Sequence, residues 1–313
     1  MAVADGPAAA AGRWRLGDLT VNRLGFGAMR LAGRAAFGPG ASRDRGQAIR
    51  VLRRAVQLGV NHIDTAAFYF SPLRSASELI NTALAPYPDD LVIATKVGPG
   101  RDPSGGWLPW ARPEQLRGQV EENLRQLGRD HLDLVNLRVY GPGPVGAHVA
   151  ALAELRQAGL IRHLGVSSVR PQQLAEAQAI APVVCVQNRF SLDEHSAAAD
   201  EFVRACGQQG VAFVPYFAIA GAGREAGADA AGRAGADGLD RTGAGADGPD
   251  GAVQAVARAH GATPAQVRLA WTLNLGPHVL AIPGTGDPDH LAENVAAAAL
   301  RLTQEDMARL TAR

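Results

Sequence analysis

The residue types that could carry out chemistry in this chain lie at the ends of two consecutive apolar segments. The first segment runs into residues 62–69, HIDTAAFY, which include Asp64 and Tyr69, and the second ends in Thr95 and Lys96. Lys96 is the only lysine of the chain. A buried amine can tune a neighbouring acid, whereas a guanidinium stays charged and prefers forked contacts. An aspartate, a tyrosine and a lone lysine so placed indicate a catalytic site.

These three side chains suit the delivery of a proton to a carbonyl oxygen. Tyrosine has a reference pKa near ~10, so it holds its proton at neutral pH. A nearby ammonium favours the phenolate and lowers that pKa, which would make Tyr69 a better general acid. Asp64 would pair with Lys96 and keep it charged.

Composition excludes several other classes of protein. The chain has 313 residues, 47% hydrophobic and 19% charged, with a formal net charge of +1 and 5% aromatic residues. Neither a basic stripe nor an apolar run long enough to span a bilayer is present, so we expect no nucleic-acid or membrane partner. Cys185 and Cys206 lie in apolar stretches typical of buried residues in a reduced interior. The histidines show no metal-ligand spacing, and we predict no metal site. Together these features predict a cytoplasmic protein.

Short apolar runs alternate with amphipathic segments along the chain. The runs that we predict to be strands cover residues 24–28, 61–64, 91–96, 132–138, 163–166, 183–187, 211–216 and 279–282. The segments that we predict to be helices cover residues 43–58, 75–84, 112–127, 146–158, 171–179, 196–209, 263–275 and 288–299. Proline at the first helical position and glycine after the last mark several of these boundaries.

Eight such strand and helix pairs in about 300 residues predict an α/β fold, a (β/α)8 TIM barrel. A doubly wound sheet would need a Gly-x-Gly-x-x-Gly turn after its first strand, and Gly25-Phe26-Gly27 does not continue that pattern. Residues 15–21 predict a small N-terminal β-hairpin that plugs the bottom of the barrel. We expect residues 1–12, which are rich in alanine and glycine, to be a disordered tail, and residues 13–313 to form one barrel domain.

Residues 222–251 break the alternation. They are almost wholly Gly, Ala, Asp and Arg, and Leu239 is their only large apolar residue. Such a segment cannot bury enough surface to offset the entropy cost of ordering. We predict a flexible loop after the seventh strand, on the catalytic face of the barrel, without the regular ligand spacing of a calcium site.

The order and spacing of several short motifs resemble the aldo-keto reductase superfamily over nearly the whole chain. The matching segments are residues 62–69, 95–96, 165–168, 186–188, 282–285 and 293–294. More narrowly, residues 133–138, DLVNLR, and 282–294 look like the bacterial subgroup that includes pyridoxal reductases. The resemblance implies a barrel that binds NADPH, with NADH as the alternative, without a Rossmann fold. It also implies Asp64, Tyr69 and Lys96 as catalytic residues.

The resemblance also implies which residues hold the cofactor. Those implied at the nicotinamide end are Gly27, Met29, Asp64, Ser167, Ser168 and Gln187, with Tyr216 stacked on the ring. Those implied along the pyrophosphate and at the adenosine end are Phe217, Ala218, Ile219, Pro283, Gly284, Thr285, Gly286, His290, Glu293 and Asn294. The N-terminal amides of the helix that follows Gly286 would suit a 2′-phosphate.

The chain departs from the family pattern at four positions, one of which is Ser168, where the family often has asparagine. Arg138 stands where the family usually has a histidine, and it could donate to a carbonyl oxygen or bind an acidic substituent of the substrate. Alternatively, it only neutralises neighbouring carboxylates. Gly284 and His290 stand where the family often has lysine and arginine, which leaves the choice between NADPH and NADH open. His290 is either a phosphate ligand that titrates near neutral pH or a surface residue.

These observations predict reduction of an aldehyde or ketone by hydride transfer, with Tyr69 as the general acid. Pyridoxal or another aromatic aldehyde is the candidate substrate. The alternatives are a dehydrogenase or ketoreductase for a sugar, polyol or secondary metabolite, and an NADPH-binding regulatory subunit without turnover. Trp107 and Trp110, in the loop after the third strand, are either lid residues or walls of a substrate pocket. We expect a monomer, and a homo-oligomer is the alternative.

Overall fold

The computed structural model describes residues 2–3, 5–33, 42–219 and 249–312. Its eleven named strands, in chain order, are β1 (Arg13–Leu16), β2 (Leu19–Asn22), β3 (Phe26–Gly27), β4 (His62–Asp64), β5 (Phe70–Ser71), β6 (Arg74–Ser75), β7 (Val92–Val97), β8 (Leu132–Arg138), β9 (Ile161–Ser167), β10 (Val183–Gln187) and β11 (Ala212–Phe213). The helices, in chain order, are α1 (Arg45–Gln57), α2 (Ala76–Leu84), α3 (Leu116–Leu127), α4 (Gly146–Gln157), α5 (Pro171–Gln178), α6 (Ala197–Gln208), α7 (Pro249–Ala259), α8 (Pro264–Asn274), α9 (Pro288–Ala296) and α10 (Gln304–Thr311).

Seven strands form one parallel sheet in the order β11-β10-β9-β8-β7-β4-β3. The segment that contains Val279 and Ala281 closes this sheet into a barrel, because Val279 pairs in parallel with Phe213 at one edge and Ala281 pairs with Leu24 at the other. The amide of Gly25 donates to the carbonyl of Ala281 at 2.8 Å. The predicted (β/α)8 barrel is therefore confirmed, with the eighth strand reduced to two bridges.

The predicted elements agree closely with the structure in the middle of the chain. The predicted strands 132–138 and 183–187 coincide with β8 and β10, and the helix predicted at 146–158 differs from α4 by one residue. The ends of the barrel strands differ more, since the run predicted at 211–216 pairs regularly only over β11. Beyond β11 the pairing continues only as single contacts, since the amide of Val214 donates to the carbonyl of Val186 at 2.8 Å and the amide of Tyr216 donates to that of Asn188 at 3.0 Å.

The interior of the barrel is a small apolar cluster of its own. It contains Ala94, Leu134, Cys185 and Leu280, each at most 3% exposed. Alternate side chains of a barrel strand point inward and fill the interior in layers. The antiparallel pair β1 and β2 lies at the bottom and contributes Leu16 and Val21 to the same cluster. This arrangement agrees with the predicted plug.

The N-terminal segment differs from the predicted disordered tail. Residues Pro7–Ala11 form a 3-10 helix, and Ala8 is completely buried. The amide of Ala8 donates to the carbonyl of Leu58 at 3.0 Å, at the end of α1. Alanine carries no large side chain to place, so this short segment packs closely against α1 and is held by backbone hydrogen bonds.

Two helices were not anticipated, namely α7 and the C-terminal α10. The loop predicted at 222–251 lies outside the described residues except for its last three, which begin α7. Thr303 opens α10 with a capping box, in which its hydroxyl accepts from the amide of Asp306 and its own amide donates to the Asp306 carboxylate. Within the described ranges, none of the helices combines the length and apolarity needed to cross a membrane.

Candidate active site

Two strand ends and the segment that follows one of them bring Asp64, Tyr69 and Lys96, three of the predicted catalytic residues, together at the mouth of the barrel. Asp64 is the last residue of β4 and Lys96 lies near the end of β7, which pairs with β4 in parallel. The ammonium of Lys96 lies 2.5 Å from Oδ1 of Asp64 and donates to the carbonyl of Thr65 at 2.9 Å. The same ammonium lies 4.8 Å from the centre of the Tyr69 ring. The three residues therefore form one buried contact set.

The charges of this set are fixed by burial and by mutual contact. Burial alone would lower the pKa of Lys96, but Asp64 and Tyr69 outweigh it and raise that pKa above its usual value, so the ammonium stays charged. The net pKa of Tyr69 is also raised, because burial outweighs the opposing effect of Lys96. The expectation of a lowered Tyr69 pKa is therefore wrong for the free protein. Lys96 and Arg138 lower that pKa relative to burial alone.

An amide at the end of β10 joins the set and leaves one acceptor unused. Nε2 of Gln187 donates to Oδ2 of Asp64 at 2.9 Å. The carbonyl oxygen Oε1 of Gln187 is buried without a hydrogen-bond partner in the part of the chain that is described, and so is Oδ1 of Asn136 on β8. An unpartnered buried acceptor is costly. A carboxamide NH2 group, as nicotinamide carries, would satisfy Gln187, so this end of the barrel fits the cofactor.

Two residues with left-handed backbone conformations follow the neighbouring strands. Ser168 has φ 59° and Phe217 has φ 67°, a region in which non-glycine residues are uncommon and which clusters at functional sites. The hydroxyl groups of Ser168 and Tyr216 lie 3.3 Å apart. Ser167 is 1% exposed at the end of β9. The predicted carboxamide contacts and the predicted stacking tyrosine are thus neighbours in the structure.

The predicted pyrophosphate residues lie where the barrel closes. The amide of Gly27 donates to the carbonyl of Pro283 at 3.2 Å, and a β-carbon on Gly284 would lie 2.6 Å from the carbonyl of Gly27. Only glycine allows the two backbones to approach so closely. Met29 is half-buried and lies in the 3-10 helix that follows β3. Ala218 is buried and Ile219 packs against the core beyond β11.

The predicted phosphate site at the start of α9 is already occupied by a carboxylate. Oδ1 of Asp287 accepts from the amides of Asp289 and His290 at 2.8 Å and 3.2 Å. This is an ordinary N-cap, which satisfies amides that a 2′-phosphate was expected to use. A 2′-phosphate would therefore have to compete with the Asp287 carboxylate for these amides. His290 is exposed and Thr285 half-buried on the same loop.

A cation that the sequence did not single out lies beside this loop. Nη1 of Arg43 donates to the carbonyl of Gly286 at 3.1 Å, and its Nε donates to the carbonyl of Arg30 at 3.2 Å. Nε2 of Gln47 on α1 donates to the same Gly286 carbonyl at 2.9 Å. A side chain on Gly286 would collide with the Arg43 guanidinium. These hydrogen bonds connect the segment that follows β3 to the loop that follows residues 279–281, which close the barrel.

The predicted adenine contacts lie on α9 in different surroundings. Asn294 is 6% exposed, while the carboxylate of Glu293 accepts from the hydroxyl of Thr263 at 2.6 Å. Nε2 of Gln266 donates to the carbonyl of Glu293 at 2.9 Å. Glu293 thus links α9 to the N-terminus of α8. Its second carboxylate oxygen, Oε2, accepts no hydrogen bond from the described residues.

Arg138 ends β8 at the mouth, half-buried. Its guanidinium carbon lies 5.9 Å from the centre of the Phe68 ring, and Phe68 packs edge-on against Tyr69. Over the described ranges, no carboxylate forms an ion pair with Arg138. The interpretation that Arg138 only neutralises neighbouring carboxylates therefore finds no support. A half-buried cation that has no ion pair among the described residues is a suitable ligand for an anionic group of a substrate.

The loop between β7 and α3 forms an ordered wall over this site. Nε1 of Trp110 donates to the carbonyl of Arg138 at 2.9 Å, and the Trp110 ring stacks on His148. Trp107, 39% exposed, packs at 5.8 Å against Phe68. The geometry fits both a lid role and a role as a wall of the substrate pocket. Trp110 anchors the loop, and Trp107 faces the aromatic residues beside Tyr69.

His62 lies two residues before Asp64 in β4 and does not belong to the contact set of Asp64, Tyr69 and Lys96. It is 1% exposed, and burial lowers its pKa to about 4, so its ring is neutral. In the described part of the chain, no group of three or more His, Cys, Asp or Glu residues is arranged to hold a metal ion. Cys185 and Cys206 are free and buried.

Comparison with known proteins agrees with this geometry. The sequence model of the Aldo/keto reductase family matches residues 23–313. Pyridoxine 4-dehydrogenase of Escherichia coli K12 is 43% identical over 302 residues, which cover 94% of this chain and 96% of that protein. An uncharacterized oxidoreductase of Schizosaccharomyces pombe, C215.11c, is 35% identical and covers 97% of this chain and 90% of its own length.

Solved structures give the same result. The thermostable aldo-keto reductase Tm1743, in complex with the inhibitor epalrestat, superposes with a TM-score of 0.75 at 29% identity, over 96% of this chain and 98% of that one. An aldo/keto reductase from Klebsiella pneumoniae in complex with NADP and acetate has a TM-score of 0.70 at 27% identity, over 93% and 90% of the two chains. The barrel, its buried Asp–Tyr–Lys set and these matches lead to one conclusion: the chain belongs to the aldo/keto reductase family.

Proposed function

We propose that this protein reduces an aldehyde, with pyridoxal as the substrate, by hydride transfer from NADPH and proton transfer from Tyr69. Membership of the family makes the chain an NAD(P)-dependent oxidoreductase. The observation that carries the proposal is the buried contact of Lys96 with both Asp64 and Tyr69 at the mouth of the barrel. A hydrogen-bonded ammonium beside a phenol is the arrangement that proton donation to a carbonyl oxygen requires.

The residues act on the proton as follows. The Tyr69 hydroxyl holds its proton firmly at neutral pH because its pKa is raised by burial. As negative charge develops on the carbonyl oxygen, that proton passes to it, and the Lys96 ammonium stabilises the phenolate left behind. Asp64 holds the ammonium in place. NADPH, when bound, supplies the hydride.

The charge and the position of Arg138 favour pyridoxal over a neutral aromatic aldehyde as the substrate. The hydroxyl of the pyridoxal ring ionises readily, so the ring carries an oxide beside the aldehyde. Arg138 lies next to Phe68 and Tyr69 without an ion pair in the described chain, so it can pair with that oxide while Tyr69 reaches the aldehyde oxygen. The relative named pyridoxine 4-dehydrogenase adds support, because oxidation of the alcohol at that carbon is the reverse of pyridoxal reduction.

The proposal extends to the cofactor, the oligomeric state and the cellular location of the protein. Ser167, Ser168 and Gln187 hold the carboxamide, and Tyr216 stacks on the nicotinamide ring. A relative in the family carries NADP in its solved structure, which favours NADPH. The loss of lysine at Gly284 and the carboxylate of Asp287 weaken the case for a 2′-phosphate, so NADH remains a working alternative. We further propose a cytoplasmic monomer.

Steady-state turnover of a substrate panel with each cofactor tests the proposal. The panel contains pyridoxal, benzaldehyde, 3-hydroxybenzaldehyde and a simple ketose, each with NADPH and with NADH. We expect kcat/KM to be highest for pyridoxal with NADPH. Turnover of benzaldehyde without turnover of pyridoxal would refute the substrate. Tight NADPH binding without turnover of any carbonyl would refute the reductase and favour a regulatory cofactor-binding protein.

A further inference from the structure

We infer that Arg101 is a positioning residue that holds Tyr69 in place from outside the barrel. Its Nη1 donates to the carbonyl of Phe70 at 2.8 Å and to the carbonyl of Phe68 at 3.3 Å. These two carbonyls flank Tyr69 on either side in the chain. A single guanidinium group therefore fixes the backbone immediately before and after the proposed acid.

Arg101 is itself held from the opposite side. Its Nε donates to the carbonyl of Gly105 at 2.9 Å, and its backbone bridges to Trp107 in an antiparallel pair. Its guanidinium carbon lies 4.5 Å from the centre of the Phe70 ring and 5.8 Å from that of Trp107. A planar cation suits this place, because it can donate in several directions while stacking between two aromatic rings.

Gly105 makes the clamp possible. It has φ +92°, and a β-carbon there would lie 2.6 Å from Nη2 of Arg101. The turn is also fixed by Asp102, which accepts from the amide of Gly106 and the hydroxyl of Ser104. The wall between β7 and α3 is therefore built to deliver the Arg101 guanidinium to the Tyr69 segment.

The backbone of the Tyr69 segment also forms hydrogen bonds beside those from Arg101. It joins the end of β4 to β5, and the described backbone bonds of Tyr69 run to Ala66 and to Ala76. Lys96 reaches the Tyr69 ring but not the carbonyls beside it. A misplacement of about 1 Å can cost ~10²-fold in rate, so loss of the Arg101 clamp should affect turnover more than cofactor binding.

This inference rests on the proposed role of Tyr69, so its test needs one arm that requires no turnover. The variants are Arg101→Met, Arg101→Lys and Gly105→Ala. The matched controls are Arg112→Met, an exposed arginine that ends the same loop, and Gly159→Ala, a glycine with φ +80° and no neighbouring atoms within 4 Å. Amide hydrogen exchange of residues 65–71 reports on the clamp, and kcat, KM and NADPH affinity report on its consequence.

We expect Arg101→Met to lower kcat by ~10- to 10²-fold, with unchanged NADPH affinity and faster exchange over residues 65–71 alone. Arg101→Lys should recover part of the rate, since an ammonium can reach one carbonyl but cannot replace the fork. Gly105→Ala should follow Arg101→Met, and both controls should match the parent protein. Unchanged exchange over residues 65–71 in Arg101→Met would overturn the inference. So would faster exchange with the parent kcat, or an equal loss of NADPH affinity and turnover. If the parent protein turned over no carbonyl, the proposed function would fail, and the exchange arm would still decide on the clamp.

Discussion

The ammonium of Lys96 and the carboxylate of Asp64 form an ion pair of 2.5 Å in which both side chains are almost completely buried, 4% and 6% exposed. Water cannot replace either partner at such a place. Removing one charge of a buried pair leaves the other uncompensated and typically costs ~3–5 kcal/mol. The pair therefore links the stability of the barrel to the proposed chemistry, because the same ammonium contacts Tyr69.

Substitution of Lys96 by Met should reduce both stability and turnover. We expect a loss of ~3 kcal/mol in the free energy of unfolding, since Asp64 remains as a buried charge. Urea unfolding measures this change. The control is Arg117→Met, which removes one partner of an exposed pair with Glu121 and should change stability by less than about 1 kcal/mol.

The double variant Lys96→Met with Asp64→Leu separates the two roles. It should recover most of the stability, because neither buried charge remains, while turnover stays at the level of Lys96→Met. Recovery of turnover together with stability would contradict the assignment of Lys96 to the chemistry of Tyr69.

Arg138 should determine which aldehyde is preferred. We expect Arg138→Met to lower kcat/KM for pyridoxal by ~10- to 10²-fold, because an ion pair with the ring oxide is lost, and to leave benzaldehyde within about threefold of the parent value. Arg138→Lys should retain part of the preference. Equal losses for the two aldehydes would instead mean that Arg138 acts on the carbonyl oxygen that both share.

His62 should make the protein sensitive to acid. Burial lowers its pKa from 6.5 to about 4, so the unfolded state binds more protons than the folded state between these values. The free energy of unfolding should therefore fall as the pH is lowered through this window, by up to about 3 kcal/mol from this group. Urea unfolding at a series of pH values should show a flatter profile for His62→Gln, with His131→Asn, at a more exposed site, as control. An unchanged slope in His62→Gln would contradict the prediction.

A side chain at Gly286 should displace the Arg43 guanidinium from the loop at the start of α9. A β-carbon there collides with the Arg43 guanidinium, which joins the exits of the first and eighth strands. We expect Gly286→Ala to weaken NADPH binding by ~10-fold or more, with a smaller effect on kcat at saturating cofactor, measured by fluorescence titration. Gly118→Ala, on the exposed face of α3 with no atoms near the added carbon, is the control. Unaltered affinity in Gly286→Ala would show that this loop does not hold the cofactor.

The contact between Asp64 and Lys96 could be predicted from the sequence because it depends on strand ends. Asp64 ends β4 and Lys96 lies near the end of β7, its parallel neighbour, and such ends meet on one face of a barrel. The raised pKa of Tyr69 could not be predicted, since it depends on how completely Phe68 and its neighbours bury the phenol. Arg101 left no signal either, because the carbonyls that it fixes beside Tyr69 belong to the main chain, which every sequence has. The helix before Gly12 escaped prediction because alanine packing against α1 needs no apolar pattern.

The central claim is that Tyr69 gives its proton to the carbonyl oxygen. Its most direct test is the single-turnover rate of NADPH oxidation with pyridoxal in the parent protein and in Tyr69→Phe, with NADPH affinity measured on both. The account predicts a loss of ~10²- to 10⁴-fold in the rate at unchanged NADPH affinity, since only the proton donor is removed. A Tyr69→Phe rate within a few-fold of the parent rate would contradict it.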